Sequence, residues 1–588
     1  MGLLKLNQLM SMKRRRRRNR RRQIQTRNGS IASCAKSKGR HDDEHSLDGQ
    51  IKGYSISDLP EVETLYIVLN KLSTITFQLS DVSNSVYFVH SGDSVQFYCF
   101  PYRNNVTVFA FTIPLLIFLP HMCMQDILCR IHSLMPIQDA ARAACVSQTF
   151  LHSWRCRPNL DFSRETLGLT KETQRDITSI VDHILQNHSG VGVKAVKFLD
   201  DSWLWNSIKN QDFRHLDVEN QDFSHLDLDR WLRNTIKPGI EELNISLHGE
   251  NTVYNFPCSL LSDEIGESLR NLKLVGCYFD PTIGLGSLRN LRRIQLGSVS
   301  ITDSKLECLL SNSFSLEQLV LRVCSGIICL KIPCLQRLSY LEVNACTGLE
   351  VLESKAPNLS SVIIQEAPHV QLSLLESPRI TKYYRSCPGA AFYARTELPS
   401  SMPNLETLSL VSNTETVNTP VMPSKFLHLK WLSISLSGRG QTYDLFSLSS
   451  FFDASPFLET FKLNASLHVK RGSIFEDRSD LRKMPEKHSY KLKCVRITNF
   501  SSAKSLIELT CHILESAMSL ERLTLDTTHG APRCSVMKTV RCWPMKKDAL
   551  MEAHRALSAI QTYVKSKVPS TVELNVFEPC SQCHAVAL

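Results

Sequence analysis

The chain has 588 residues, 43% of them hydrophobic, enough for two or three domains with a sizeable core. Its formal net charge of +11 is concentrated in Lys13–Arg22, which leaves the remainder near neutral at about +2. That balance excludes a basic nucleic-acid groove along the body of the protein, so nucleic acid is not an expected partner. The basic run comprises Lys13, Arg14, Arg15, Arg16, Arg17, Arg18, Arg20, Arg21 and Arg22. It has the form of a nuclear import signal read by an importin, with a solvated tail of incidental RNA affinity, or nucleic-acid binding through the run itself, as alternatives. The N-terminal MGLLKLNQLM is too short for a signal peptide, and Leu6 stands where N-myristoylation needs Ser or Thr. Twenty cysteines lack regular even spacing, and Cys277, Cys324 and Cys346 fall in apolar strand-like runs. Free buried cysteine acts as a small hydrophobe, so a reducing compartment, nucleus or cytoplasm, is expected.

Asp58-Leu59-Pro60-Glu61 is followed by an unusual block, Val62–Gln125, and then by Asp126–Trp154, DILCRIHSLMPIQDAARAACVSQTFLHSW. In the last stretch Ile127, Leu128, Ile131, Leu134 and Met135 fall at helical spacing, with Asp126 placed to cap and Pro136 to stop the helix. A second helix is expected from about Gln138, with Ala140, Ala143, Ala144 and Val146 small enough for close packing. A third over Ser147–Trp154 puts Phe150, Leu151 and Trp154 on one side. Three short helices pack on one another and can offer leftover apolar surface to a partner; an ordinary helical subdomain is the alternative.

Joined across the block, the pieces read DLPE-DILCRIHSLMPIQDAARAACVS, which resembles the F-box of plant F-box/leucine-rich-repeat proteins. The resemblance implies docking on a Skp-type adaptor and, through it, a cullin. It also implies that Leu59, Pro60, Ile127, Leu128, Ile131, Leu134, Pro136, Val146, Ser147 and Trp154 form the F-box core and adaptor-facing surface. The interruption after Glu61 departs from the family pattern. Val62–Gln125 has eleven aromatics but only five charged side chains in 64 residues, too apolar for a linker. Its most apolar part, Val106–Leu119, is 14 residues with Pro114 inside, short of the ~20 a spanning helix needs, so no membrane partner is expected. Val62 is encoded by GTN and Gln125 by CAA or CAG, so the block can begin with GT and end with AG. The residues before its end use pyrimidine-rich codons, and excision keeps the frame. A translated, retained intron is therefore expected, with a genuine strand-rich insertion, or Leu119-Pro120 as a substitute head, as alternatives.

Further on, the unit L-x-x-L-x-L recurs. It starts at Ile240, Leu269, Leu291, Leu316, Leu338, Leu359, Leu405, Leu429, Leu458, Leu492 and Leu520, with Ile380 (ITKYYR) as a degenerate copy. Spacings of 21 to 29 residues, and one of 34, match leucine-rich repeats with insertions. One unit cannot close its own core, so units stack into a solenoid. Cys277, Cys324, Cys346 and Asn413, eight residues after their unit starts, are expected to point inward. The intervening positions Glu317, Gln318, Glu342, Glu406, Lys430, Trp431, Glu459 and Arg522 are expected on the concave face, open either to a target or to solvent.

Asp548–Lys567 reads as an amphipathic helix presenting Leu550, His554, Leu557, Ile560 and Val564, followed by a strand over Ser570–Phe577. This ending resembles the FBD-like segment of the same family and could cap the solenoid. Cys580-Ser-Gln-Cys583-His584 has the form of a c-type haem attachment. It stands near the chain end, and Cys534 and Cys542 are poorly spaced to complete a zinc site, so surface thiols and no cofactor are expected.

The expected fold is α/β: a small three-helix F-box, a leucine-rich-repeat solenoid and a C-terminal helix–strand cap. The expected division is a basic tail over 1–57, an F-box domain over 58–165 interrupted by 62–125, and a connecting region over 166–239. Repeats follow over 240–530 and the cap over 531–588. No nucleotide loop, H-E-x-x-H or G-x-S-x-G occurs, and His183 and His369 lack a paired nucleophile, so the chain is not expected to be an enzyme. The resemblance implies a substrate-recognition subunit of an SCF-type ubiquitin ligase whose repeats bind a target protein. The alternative is a repeat-based interaction scaffold without a ligase role.

Overall fold

The computed structural model describes residues 86–91, 94–99, 109–114, 135–145, 148–163, 165–167, 177–190, 192–199, 225–247, 254–281, 288–367, 370–374, 377–439, 443–468, 472–476, 480–482, 489–528 and 545–580. The chain divides into two units, Met1–Arg157 with Thr166–Val191, and Pro158–Glu165 with Gly192–Leu588.

In the first unit, strands Val86–Ser91, Ser94–Cys99 and Phe109–Pro114 pair antiparallel, the first two in register Val86↔Cys99 and the last two in register Ser94↔Pro114. All three lie inside the block Val62–Gln125. Helices α1 (Ile137–Ala144) and α2 (Gln148–Arg155) occupy the two stretches downstream of Pro136 expected to be helical. Pro136 precedes the first turn of α1, where its missing N–H costs nothing. Arg157, itself buried, donates from its guanidinium to the Met135 carbonyl, tying the end of the helical pair to its beginning. Helix α3 (Ile177–Asn187) buries Ile177, Val181 and Ile184. After it, the His188 ring bonds the Arg157 carbonyl at 2.9 Å, and burial lowers the His188 pKa.

The second unit is an α/β solenoid built on a fifteen-stranded parallel sheet. Its strands begin at Asn159–Asp161 and Ala195–Leu199, ahead of the first recognisable repeat, and end at Glu573–Phe577, beyond the last. The early coils escape pattern reading because aromatics replace leucine there. Phe162 stacks on Phe198 at 4.9 Å and Phe198 on Trp231 at 5.8 Å, all three essentially buried. The degenerate unit is a full strand, Lys382–Ser386, in register between Ser361–Gln365 and Thr407–Ser412. It fills the two inward positions with Tyr383 and Arg385, both 2% exposed, where neighbouring coils use Val362, Ile364, Leu408 and Leu410. The Arg385 guanidinium lies over the Tyr393 ring at 5.4 Å and donates to the Cys387 sulfur at 3.3 Å.

Repeat length decides what returns the chain. Spacings of 21 and 22 residues return through short strands, Cys329–Ile332, Val351–Ser354 and Gln371–Ser373, which form their own parallel sheet. Spacings of 25 and 28 return through helices, Asp303–Ser311, Ala390–Ser401 and Lys504–Ser516. A strand advances about 3.3 Å per residue and a helix about 1.5 Å, so a helix needs the longer repeat to cover the same distance.

At the end of each strand the chain must leave the sheet, and one position does this repeatedly in left-handed conformation. Gly276, Ser298, Val323, Ala345, Glu366 and Asn499 all have positive φ immediately after their strands. At Gly276 a Cβ would stand 1.9 Å from the Leu247 carbonyl oxygen, so only glycine fits. The turn drives the next residue inward. Cys277, Cys324 and Cys346 are buried as expected, and the latter two thiols donate to the Leu296 and Leu321 carbonyls of the preceding coil at 3.4 and 3.9 Å. Burial pushes the Cys277 pKa up to about 12, so this thiol stays protonated and inert at neutral pH. Asn413 does not follow the expectation: it is exposed, and Ser412 is buried instead. Its strand continues through Ser412 without the left-handed residue, and simple alternation then turns Asn413 outward.

The longer coils are held by polar anchors that reach buried partners. Arg395, 1% exposed, donates to the Ser450, Ser424 and Met422 carbonyls at 3.2, 3.0 and 2.5 Å, fixing the extended return after Asn413. Arg482 pairs with Asp444 at 2.6 Å and with the buried Glu508 at 2.5 Å, and its guanidinium lies over the Phe446 ring. Tyr490 donates to Asp453 at 2.7 Å and meets the His512 ring at 2.9 Å. The C-terminal helix spans Lys547–Ala559 and buries Leu550, Ala553, Ala556 and Ala559, followed by Ile560 and Val564. His554, expected on that face, is exposed. The turn that continues the helix, Ile560–Val564, packs on Lys504–Ser516, the Cys511 thiol reaching the Tyr563 carbonyl at 3.5 Å.

Two outcomes test these arguments. Val323 is β-branched, left-handed and 57% exposed, so Val323→Gly removes strain with little loss of packing. Chemical denaturation should show a gain of about 0.5–1 kcal/mol, against the usual cost of introducing glycine. Glu415 is 2% exposed, and burial raises its pKa against the opposing effect of the Ala391 N–H that it accepts at 2.7 Å. A carboxyl whose folded pKa is raised stabilises fully below its unfolded value and loses that contribution as pH rises. Glu415→Gln should therefore gain in stability relative to the parent as pH climbs from 4 towards 8, measured by thermal melts.

Candidate binding face

On one side of the sheet the parallel register lines the outward side chains of successive coils into columns, most of them exposed or half-buried, with Val320, Glu342, Thr524 and Asp526 buried. One column runs Lys194, Glu241, Arg270, Arg292, Glu317, Ser339, Ser360, Thr381, Glu406, Lys430, Glu459, Lys493, Glu521. The next includes Glu242, Asn271, Arg293, Gln318, Tyr340, Ser361, Lys382, Thr407, Trp431, Thr460, Cys494, Arg522 and Glu573. All eight positions expected on the strand face, Glu317, Gln318, Glu342, Glu406, Lys430, Trp431, Glu459 and Arg522, lie in these columns or the one beside them.

The face has zones of different chemistry. Over the first coils, opposite charges answer one another across strands. Glu241 meets Lys194 at 3.1 Å and Arg270 at 3.2 Å, Lys197 meets Glu242 at 3.2 Å, and Arg292 meets Glu317 at 3.7 Å. Arg293 donates to Gln318 at 2.8 Å. The zone closes on the tightest group, Glu342, which accepts from Arg322 at 2.7 Å and from the Tyr340 hydroxyl at 2.8 Å. Burial opposes ionisation of Glu342, but Arg322 and Tyr340 outweigh it and hold its pKa below the ordinary glutamate value. Exposed pairs of this kind contribute about 0–1 kcal/mol each. Their main effect is to neutralise the face and fix side-chain positions.

The middle zone is nearly uncharged. Ser361, Ile363, Tyr384, Thr407, Ser409 and Ser433 line it, with Lys382 among them and Trp431 at its far edge. Ile363, Tyr384 and Trp431 are half-buried. Beyond it the alternation resumes, with Glu406 to Lys430 at 3.5 Å, Glu459 to Lys493 at 3.3 Å and Arg522 to Glu573 at 2.8 Å. Lys462 lies over the Trp431 ring at 5.3 Å, and Arg496 stands beside Lys462 in register. Among the described residues no group of His, Cys, Asp and Glu is placed to hold a metal ion, and no helix is long and apolar enough to cross a membrane.

A protein-family model, At1g61320/AtMIF1, LRR domain, matches residues 184–581, more than half of the chain. The chain belongs to this leucine-rich-repeat family. The match reaches past the recognisable repeats at both ends, as the sheet does. No curated protein matches the chain closely enough to stand as a relative. As a member of the AtMIF1-type leucine-rich-repeat domain family, the protein has a protein-interaction role, and the regular open surface the repeats build is the strand face.

The other expected site residues distribute differently. Leu59, Pro60, Ile127, Leu128, Ile131, Leu134, Val146 and Ser147 lie outside the described residues, as does the basic run Lys13–Arg22. Pro136 is exposed before α1 and Trp154 is half-buried on α2. Cys580 is half-buried at the end of the described chain, whereas Cys583 and His584 lie outside it. Sequence reasoning missed Tyr340, Tyr384, Lys462 and Arg496. The last two occupy the middle position of the L-x-L core of their units, a signal already present in LETFKL and LKCVRI.

A double-mutant cycle of Arg322→Gln and Glu342→Gln should give a coupling of about 0.5–1 kcal/mol at neutral pH. Because the folded pKa of Glu342 is lowered, that stabilisation is present above the unfolded value and should fade as pH falls through the lower folded one.

Proposed function

We propose that this protein is a non-catalytic substrate receptor: the helical module at Asp58–Glu61 and Asp126–Trp154 docks on a Skp-type adaptor of a cullin ubiquitin ligase, and the strand face binds a target protein. The observation that carries the reading is the pairing of an F-box-like sequence with a leucine-rich-repeat domain in one chain. Helices α1 and α2, tied by Arg157 to Met135, agree with the helical expectation for the second part of that module. Its mechanism is proximity. Holding the target beside a charged ubiquitin-conjugating enzyme raises its effective concentration, and no side chain of the receptor takes part in bond making. The basic run Lys13–Arg22 supports import by an importin and action in the nucleus or cytoplasm.

A second reading, a repeat scaffold without a ligase role, is favoured by one observation. The block Val62–Gln125 carries three paired strands and separates Asp58–Glu61 from Asp126. Under the receptor reading the block is a translated intron, and its removal restores the continuous motif. Co-purification with a Skp-type adaptor, with and without Val62–Gln125, separates the readings. The receptor reading expects adaptor binding by the form lacking the block and loss of that binding in Ile131→Asp. Absence of binding in both forms selects the scaffold. Transcripts that all cross the block unspliced refute its intron origin.

A further inference from the structure

The alternation of charge along the strand face fails at one place. Lys462 and Arg496 stand directly opposite each other on adjacent parallel strands, both exposed, both in the same outward column. Neighbours in that column are Ser433 and Thr524, and the flanking residues include Thr460, Cys494 and Thr498. Of the nearby carboxylates, Glu459 is engaged by Lys493 and Glu573 by Arg522, and Glu521 stands beside Lys493 in the first column. Among the described residues this is the one place on the face where two bases meet in register with no carboxylate bridging or flanking them as a partner. Like charges directly opposite on neighbouring strands destabilise a sheet, so the pair is a local cost without an internal return.

We propose that Lys462 and Arg496, with Trp431 beside them, form an anion-recognising subsite that receives an acidic segment of a partner protein. The proposal rests on the reading of the strand face as a partner surface and gives that partner a chemistry. The planar guanidinium of Arg496 suits a carboxylate bidentately, and the ammonium of Lys462 is already held in place by the Trp431 ring. Ser433 and Thr460 add hydroxyl donors at the edge. The rest of the face decides between classes of polyanion. Elsewhere on the surface Glu241, Glu242, Glu317, Glu342, Glu406 and Glu459 already engage neighbouring bases, which leaves few cations for the many phosphates of a nucleic-acid backbone or an anionic bilayer laid along it. A short acidic stretch of polypeptide needs only these two bases, and the remainder of the partner can lie on the nearly uncharged middle zone.

The test uses the full chain and a fluorescein-labelled peptide of alternating Glu and Gly, with a Gln–Gly peptide of equal length as its neutral counterpart. Fluorescence anisotropy should show binding of the acidic peptide only, weakening with added salt. Lys462→Ala and Arg496→Ala should each weaken it about tenfold, the loss of one charge-assisted contact, while Lys355→Ala, off the strand face, leaves it unchanged. Circular dichroism checks that both variants, altered only at exposed side chains, keep their fold. Equal binding of the two peptides, indifference to both substitutions, or tighter binding of RNA or phosphatidylserine vesicles overturns the proposal. Its failure is separable from that of the partner-face reading through Tyr384→Ala in the middle zone. If the acidic peptide fails but proteins captured by the parent chain are lost on Tyr384→Ala, the acidic-segment proposal falls and the partner face stands. If capture is indifferent to Tyr384 as well, both fall.

Discussion

No single repeat of this chain can bury its own apolar side chains, and the strand-to-strand ladder of the second unit answers that constraint. Each coil contributes one short strand whose inward residues are covered only by the coils before and after it. Leu272, Ile294, Leu319, Leu341 and Val362 form one continuous row in this way, each essentially fully buried. Backbone hydrogen bonds between coils hold the row in register, because a slip by one residue would turn every inward side chain to solvent. The left-handed residue after the strand serves the same end, sending the next side chain, often cysteine, back under the preceding coil.

The outward face follows from the register that the core imposes. Residues far apart in sequence stand about 4.8 Å apart in columns, so a charge on one coil is neutralised or opposed by the next. The first coils use this to cancel charge, the middle coils drop charge, and Lys462 and Arg496 break the cancellation. Two bases facing each other across adjacent strands are informative, since their repulsion has no role in holding the sheet together. On the return side, anchors such as the buried Arg395 and the pair of exposed Arg482 with buried Glu508 hold long segments against the solenoid. The variable lengths of the repeats are therefore absorbed there without disturbing the face.

Much of the fold was legible because leucine at fixed spacing is a direct statement about burial. The repeats from Ile240 onward and the inward cysteines at 277, 324 and 346 follow from it. Where the buried positions carry other residues the signal disappears. Phe162, Phe198 and Trp231 hide the first coils, and Tyr383 with Arg385 makes a regular strand look degenerate. Asn413 matched the pattern in spacing but faces out, since one missing left-handed residue shifts the alternation. The C-terminal helix was legible in position but not in orientation, because its buried face is mostly alanine and spacing alone favoured His554 and Leu557.

By itself the sequence determined the repeat class, the period and the near-neutral body, since these depend on composition and spacing along one chain. It also carried a resemblance to an F-box, divided between Asp58–Glu61 and Asp126–Trp154, which is a property of order alone. Only the tertiary structure decided how many strands join the sheet, which polar residues are buried anchors and which charges have partners. Those outcomes depend on which residues of different coils become neighbours, and register across a parallel sheet brings together side chains some 20 to 50 positions apart. Lys462 and Arg496 are unremarkable in LETFKL and LKCVRI; they become a site only when the register sets them side by side.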